Sequence, residues 1–344
     1  MSCNQSFLWA AVLMAAFLGP APAAYAQTTP TCDRGCMTRT VDAVLDSMVA
    51  HDPDRLPLAN VYEATENSHP AALGMMTLWR TVTKAHKPDF LAIDVPAGQA
   101  FLATQISEGG DLSVLWGRIR VVDRRITELE LFVNRSRGDH GFSFSADKLP
   151  ANLRPWMNPP AGRQRATRAE LETLAKVAFA PGKIPFAVGP KCAFIEAGSQ
   201  VIDPGLDDAP AAPTPPGTPA VDRDAPLGCA APVQRPLDPQ ARPIVVDDEL
   251  GIVVVGAIIP GTVFPYPFHG HMISAFIPSQ MAQPTQLQQQ WFEKKRAQHQ
   301  GPLLEPTAAT GDTMEVYQVY DGQIQGHQIN VHLGPAGMKS AWVK

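Results

Sequence analysis

One order of motifs occurs twice in this chain, and that recurrence limits the fold more than any other feature, because whatever packs one half must pack the other. A short amphipathic stretch, Val41, Val44, Leu45 and Met48, leads to Asp54-Arg55-Leu56-Pro57-Leu58-Ala59 and then to Val61 through Ser68. A second one, Leu171, Leu174, Ala175 and Ala178, leads to Gly182-Lys183-Ile184-Pro185-Phe186-Ala187 and then to Cys192 through Ser199. An Asp-x-x-x-Gly turn from Asp94 to Gly98 opens a strand-like run to Ile106, matched by Asp247 to Gly251 opening a run to Ile259. Last comes a hairpin pattern, Ile119 to Val133 around Asp123, matched by Tyr317 to Val331 around Asp321. Each copy reads as a helix, an isolated strand and an antiparallel meander. The expectation is an α+β fold: two tandem cone-shaped units of curved antiparallel sheet packed on helices, each cone a place for an apolar small molecule.

The chain has 344 residues, and what does not belong to the repeats sets the boundaries. Phe7 to Leu18 is apolar but too short to span a bilayer, and Ala24-Tyr25-Ala26 follows it as a small-x-small cleavage pattern. Residues 1–26 are therefore expected to be a signal peptide and the protein to be periplasmic or secreted. The first unit is expected over 32–135, a linker over 136–166 and the second unit over 167–342. Eleven of the 34 prolines lie from Pro204 to Pro243, so about 204–243 reads as an extended insertion. A second insertion, about 280–309, carries a Gln-rich helical stretch. A net charge of −5 lacks the basic footprint that binding phosphates demands, so nucleic acid is excluded as a partner, and no later run is long and apolar enough for a membrane anchor.

Cys32, Cys36, Cys192 and Cys229 remain after the leader, an even number suited to an oxidising compartment. Four cysteines allow three pairings. Cys32 and Cys36 are within disulfide reach at helical spacing, and Cys192 with Cys229 would then close a loop over the proline-rich stretch. The alternative is a four-cysteine zinc site, for which a second C-x-x-C is missing.

The hairpin of the first repeat registers by its charges. With Asp123, Arg124 and Arg125 as a three-residue loop, Arg120 faces Glu128, Arg118 faces Glu130, Ile119 faces Leu129 and Val121 faces Thr127. The Arg/Glu side reads as a solvated ladder rather than a pair of catalytic carboxylates, and Ile119 and Leu129 point inward. Carried to the second repeat, the same register puts Tyr317 opposite His327 on the inward side. A polar pair in a cavity must be hydrogen-bonded, and His and Tyr suit proton transfer and donation to oxygen. A two-residue turn at Asp321-Gly322 would instead bring His327 opposite Val316, and a buried Tyr/His pair can also satisfy itself.

Other candidates lie outside the hairpins. Glu66 and Glu196 recur at the end of the lone strand of each repeat, as structural hydrogen-bonding groups or as a general base. Trp79 and Arg80 are candidates for a pocket rim. Tyr266, His269 and His271 are candidates for substrate contact, and the two histidines would share a strand face, but no third ligand with diagnostic spacing follows, so no metal is expected. Gly-rich phosphate loops, G-x-S-x-G and H-E-x-x-H are absent.

The repeats resemble the nuclear transport factor 2-like superfamily, which includes ketosteroid isomerases and polyketide cyclases. Cys32-Asp33-Arg34-Gly35-Cys36, Ala50-His51-Asp52-Pro53-Asp54-Arg55-Leu56-Pro57-Leu58-Ala59, Thr65-Glu66-Asn67 and Leu78-Trp79-Arg80-Thr81 resemble an exported family with two such domains. The second repeat has Ala197 where the first has Asn67. The resemblance implies isomerase, dehydratase or lyase chemistry without a cofactor, lignin-derived diaryl compounds being one substrate class handled on this fold. The reading is an exported lyase or isomerase for a small hydrophobic, hydroxylated or carbonyl compound. His327 would move a proton, Tyr317 would donate to oxygen and Glu196 would orient or assist. The alternative is a non-catalytic ligand-binding or interaction protein, and a homodimer is a candidate assembly.

Overall fold

The computed structural model describes residues 32–135, 145–201, 226–229, 236–268, 271–300 and 303–343. The leader 1–26, most of the proline-rich insertion and His269 lie outside the described residues. Helix α1 (Arg34–Val49) begins where Asp33 accepts from the backbone N–H of Cys36 at 2.7 Å, and a Cys32–Cys36 disulfide closes over the same turn. Its Val41, Val44, Leu45 and Met48 are all buried. There follow β1 (Leu58–Glu66), β2 (His69–Pro70), α2 (Thr77–Thr81), β3 (Val82–Ala85), β4 (Phe90–Asp94), β5 (Gln99–Glu108), β6 (Asp111–Val122) and β7 (Arg125–Arg135). After α3 (Leu149–Leu153), α4 (Arg168–Val177) starts with a capping box between Thr167 and Glu170 and buries Leu171, Leu174 and Ala175. Then come β8 (Ala187–Glu196), β9 (Ser199–Gln200), β10 (Arg242–Asp247), β11 (Ile252–Phe268), β12 (His271–Pro278), α5 (Ala282–Ala297), β13 (Thr307–Tyr320) and β14 (Gln323–Pro335).

The fold is α+β, with two seven-stranded sheets and few helices. The first sheet runs β2-β1-β7-β6-β5-β3 with β4 also on β5; the second runs β9-β8-β14-β13-β11-β10 with β12 also on β11. The strand expected to stand alone is a sheet member in both halves. Glu66 of β1 pairs in parallel with Leu131 of β7, and Glu196 of β8 pairs in parallel with Ile329 of β14.

Both hairpins turn on two residues rather than three. Asp123 and Arg124 have φ of 49° and 61°, and Asp321 and Gly322 have 52° and 69°, the left-handed pair such turns need. One extra residue, Thr127 in β7 and Gln325 in β14, then bulges out of the ladder. Val121 therefore pairs with Ile126, not Thr127, while above the bulge Arg118 faces Glu130, Ile119 faces Leu129, and Tyr317 faces His327.

Alternation along the strands separates two faces. Ala100, Leu102, Leu115, Ile119, Leu129 and Leu131 pack on α1, and Val253, Val255, Ala257, Tyr317 and Val319 pack on α4. The opposite faces meet each other: Phe101, Val114, Trp116 and Phe132 of the first sheet share a core with Ile252, Val254, Met314 and Val316 of the second. The Arg/Glu ladder lies on this covered side, which corrects the expectation that it is solvated. Arg118 is 3% exposed and Glu130 fully buried, with Glu130 taking Arg118 Nε at 2.5 Å and Arg242 from β10 at 2.8 Å on both oxygens. Its outer rung, Arg120 with Glu128, reaches water.

The segment expected to be a linker also enters this core, through Leu149, Leu153 and Trp156. The second insertion does contain a helix, α5, whose Trp291 and Phe292 are buried in a small cluster of their own. A Cys192–Cys229 disulfide spans 37 residues and ties β8 to the chain before β10. Among the described residues no helix is long and apolar enough to cross a membrane.

Two aspartates exchanged between the halves hold the sheets together. Asp94, at the end of β4, takes Arg168 of α4 through both oxygens at 2.9 Å and the N–H of Val246 at 3.1 Å. Asp247, at the end of β10, takes Arg34 of α1 at 2.5 Å and the N–H of Ile93 at 2.7 Å. Each also accepts from the residue three ahead in its own turn, Ala97 or Leu250. Replacing either carboxylate leaves a buried N–H without its partner and removes the arginine's buried one, while Arg34 keeps Glu249 at 2.9 Å and Arg168 keeps Glu172 at 3.0 Å. Asp94→Ala and Asp247→Ala are each expected to cost about 3 kcal/mol, and by similar amounts, whereas Arg120→Ala should cost under about 1 kcal/mol, all read from denaturant unfolding curves.

Candidate functional site

The two helix-facing surfaces differ at matched positions. In the first sheet Gly117 pairs with Leu131 and Ile119 with Leu129; in the second the corresponding pairs are Glu315 with Ile329 and Tyr317 with His327. Glu315 lies two residues before Tyr317 on one strand, so both side chains project to the same face. The Tyr317 hydroxyl donates to Glu315 Oε2 at 2.6 Å, and His327 Nε2 lies 2.8 Å from the same oxygen. The imidazole is sandwiched, with Tyr317 at 4.4 Å and 11° on one side and Phe194 of β8 at 5.2 Å and 20° on the other. Tyr317 and Glu315 are buried, while the His327 side chain keeps 18% exposure, so the cluster has a covered floor and an open side.

Glu196 completes the group. It sits on β8 against Ile329, half-buried. Burial, followed by the charge of Glu315, pushes its carboxyl from 4.5 up to about 7. A carboxyl titrating there can both give and take a proton near neutral pH.

The matching residue, Glu66, is occupied differently. Its two oxygens accept from the Thr77 hydroxyl and from the Leu78 N–H at 2.9 Å, capping the start of α2. Of the roles expected for Glu66, structural hydrogen bonding, general base or substrate contact, these contacts make the structural one. Among the described residues no hydrogen-bond donor reaches Glu196.

Trp79 is not a rim residue. It is 2% exposed in the core against α1, and its Nε1 donates to Ser47 Oγ at 3.1 Å. Arg80 is exposed on α2 in the first half and does not join the cluster. Tyr266 pairs with Ile273 and His271 with Phe268, on the part of β11 beyond its last pair with β13, Val263 with Thr307. Glu315 pairs with Val255, so Tyr266 stands roughly 35 Å further along the strand, which separates Tyr266 and His271 from the cluster. His269 lies outside the described residues, among which no group of three or more His, Cys, Asp or Glu is placed to hold a metal. Cys32, Cys36, Cys192 and Cys229 form two disulfides rather than a zinc site.

Glu315 is the member that the sequence reading missed. The available signal is a lone carboxylate inside an apolar strand, Met314-Glu315-Val316-Tyr317, at the spacing that shares a face with the tyrosine. A separate groove of about 380 Å3 beside α5 is lined by Phe292, Arg296, His299, Gln300, Leu303 and Glu305. Its one ion pair, Arg296 with Glu305 at 3.7 Å, is exposed on both sides, and no member of the cluster lines it.

No protein-family model matches the chain, and no curated protein matches it. Among solved structures it is similar to a de novo designed protein with a curved β-sheet, at 12% identity over 30% of this chain and 88% of that one. The TM-score is 0.25, a likeness too slight to bear on function.

Because the folded state raises the Glu196 pKa above its unfolded value, folding binds a proton between about pH 4.5 and 7 and loses stability as pH rises through that window. Glu196→Gln removes the penalty. The variant should be more stable than the parent above pH 7, the gap closing towards pH 4.5 and vanishing below it, in urea unfolding midpoints taken across that range. Asp312, also raised to about 7 by burial and by Glu130, adds a parallel decline that is common to both proteins.

Proposed function

We propose that the surface around Glu196 in the second half forms the recess of a cofactor-independent acid/base site for a small hydrophobic compound bearing a hydroxyl or carbonyl group, of lyase or isomerase type. The observation that carries this reading is the half-buried Glu196, its proton affinity matched to neutral pH, beside a histidine with an open side. The proton-carrying role moves from His327 to Glu196. Tyr317 is not the donor to a substrate oxygen, because its hydroxyl is already held by Glu315 at 2.6 Å. His327 offers its second nitrogen, and the aromatic sandwich with Phe194 supplies a flat apolar wall suited to an aromatic or conjugated substrate, lignin-derived compounds among them.

The family reading accompanies it. We take the chain as two tandem nuclear transport factor 2-like cones, supported by the matched strand order of the two sheets and by Gly98 and Gly251, both at φ 62° in matched turns. The first cone is filled by Ile119, Leu129 and Leu131, and the second carries the polar set. Export is part of the proposal, since two disulfides fit an oxidising compartment.

A second reading, a ligand-binding protein without turnover, is favoured by one observation: Tyr317, Glu315 and His327 Nε2 satisfy one another without any ligand. Purified protein incubated with a panel of aromatic diols and enones separates the two. The catalytic reading expects turnover that falls about 10²- to 10⁴-fold in Glu196→Gln and markedly in His327→Ala. Saturable binding with no turnover by the parent would leave the binding reading standing.

A further inference from the structure

We propose that Glu315 is a positioning residue that holds His327 as the Nε2–H tautomer and so presents Nδ1 as the lone pair offered to a ligand. The inference rests on the reading of this recess as a ligand site, but its physical core is a statement about one imidazole ring. An ionised carboxylate has no hydrogen to give, so both contacts at Glu315 Oε2 must be donated to it, by the Tyr317 hydroxyl at 2.6 Å and by His327 Nε2–H at 2.8 Å. With that hydrogen on Nε2, a neutral ring has its acceptor at Nδ1. Among the described residues nothing hydrogen-bonds to Nδ1, and the side chain retains 18% exposure.

The sandwich between Tyr317 and Phe194 fixes the plane in which that lone pair points. The fold itself does not require the arrangement. The first sheet closes the same surface with Gly117, Ile119 and Leu129 at the matched positions. Val255 of β11 pairs with Glu315, and the core beside Tyr317 is built from Leu171, Leu174 and Ala175 of α4 with Val253, Val255 and Ala257 of β11. The polar groups placed with it are Glu196, Tyr317 and His327.

The test is the tautomeric state of His327, read in full-length protein with 15N-labelled histidine by two-bond proton–nitrogen correlation at the alkaline end of a pH series. The wild type should show Nε2–H in roughly tenfold excess or more, since a hydrogen bond to a charged group favours its donor by about 1.5–3 kcal/mol. Glu315→Gln keeps an acceptor oxygen and should keep the same tautomer; Glu315→Ala should lose the excess. An Nδ1–H wild-type ring, or an Ala variant with the wild-type pattern, overturns the proposal. If the Ala variant does not fold, the wild-type and Gln spectra still decide it, because a Gln variant switched to Nδ1–H with its fold intact also counts against. A protein with the expected tautomer but no turnover on any aromatic diol or enone keeps the positioning role and removes the catalytic reading.

Discussion

The exchange of Asp94 and Asp247 is the constraint on which the rest of the molecule depends. Each carboxylate does two things at once: it shapes the turn that opens its own long strand, and it reaches into the other half to hold an arginine at the first position of the helix there. Because the crossing is reciprocal, α1 is registered on the second half and α4 on the first. The two apolar faces then meet with Phe101, Trp116 and Phe132 against Val254, Met314 and Val316. Burial inside that contact is also what turns the Arg118–Glu130 rung from a surface ladder into an internal ion pair, completed from across the boundary by Arg242. The chain end adds a lid to it: Arg118 stacks 4.4 Å over the Trp342 ring, whose Nε1 donates to Thr65 at 3.1 Å.

The pairing of the hairpins could be read from residue types, since opposite charges two apart on each strand admit one register only. The turn takes two residues where the charges suggest three, and the bulges at Thr127 and Gln325 absorb the difference, which is why Arg118 still meets Glu130 and Tyr317 still meets His327. What alternation does not reveal is which face is covered. A ladder of arginine and glutamate has the same pattern in water and under a second sheet, and only the docking of β10 and β13 decides it. Trp79 was misplaced for a similar reason. A tryptophan beside an arginine suits a rim, but the neighbouring α1 offers Ser47 as a partner for the indole and draws it inward. Glu315 escaped notice because its counterpart in the first half is Gly117, so comparing the repeats showed the tyrosine and histidine as replaced apolar residues but gave no carboxylate to compare.

The two halves show how one fold can be closed or opened by a few positions. In the first, Glu66 caps α2, and Glu108 gathers Arg135, Thr81 and Ser113 into a network at the same end of the sheet. The positions paired like Glu108 and Ser113 are Gly261 and Gly311 in the second half, and the ring of Phe276 from β12 lies over both glycines. Without such a network Glu196 is left, among the described residues, without a donor beside Glu315, and burial first, then the second carboxylate, raise its proton affinity.

The distance along the chain between the exchanged partners also orders the events of synthesis. Arg34 and Asp247 are separated by 213 residues, and Ile93 and Asp247 by 154, so neither cross-contact exists while the first half alone has emerged. At about 5–20 residues per second, the span from the end of β7 to Asp247 takes on the order of 5–20 s to make. Until then Phe101, Trp116 and Phe132 lack the Val254, Met314 and Val316 side chains that share their core, and Glu130 lacks Arg242. The second half is thus the cover for an apolar face that the first half does not close by itself.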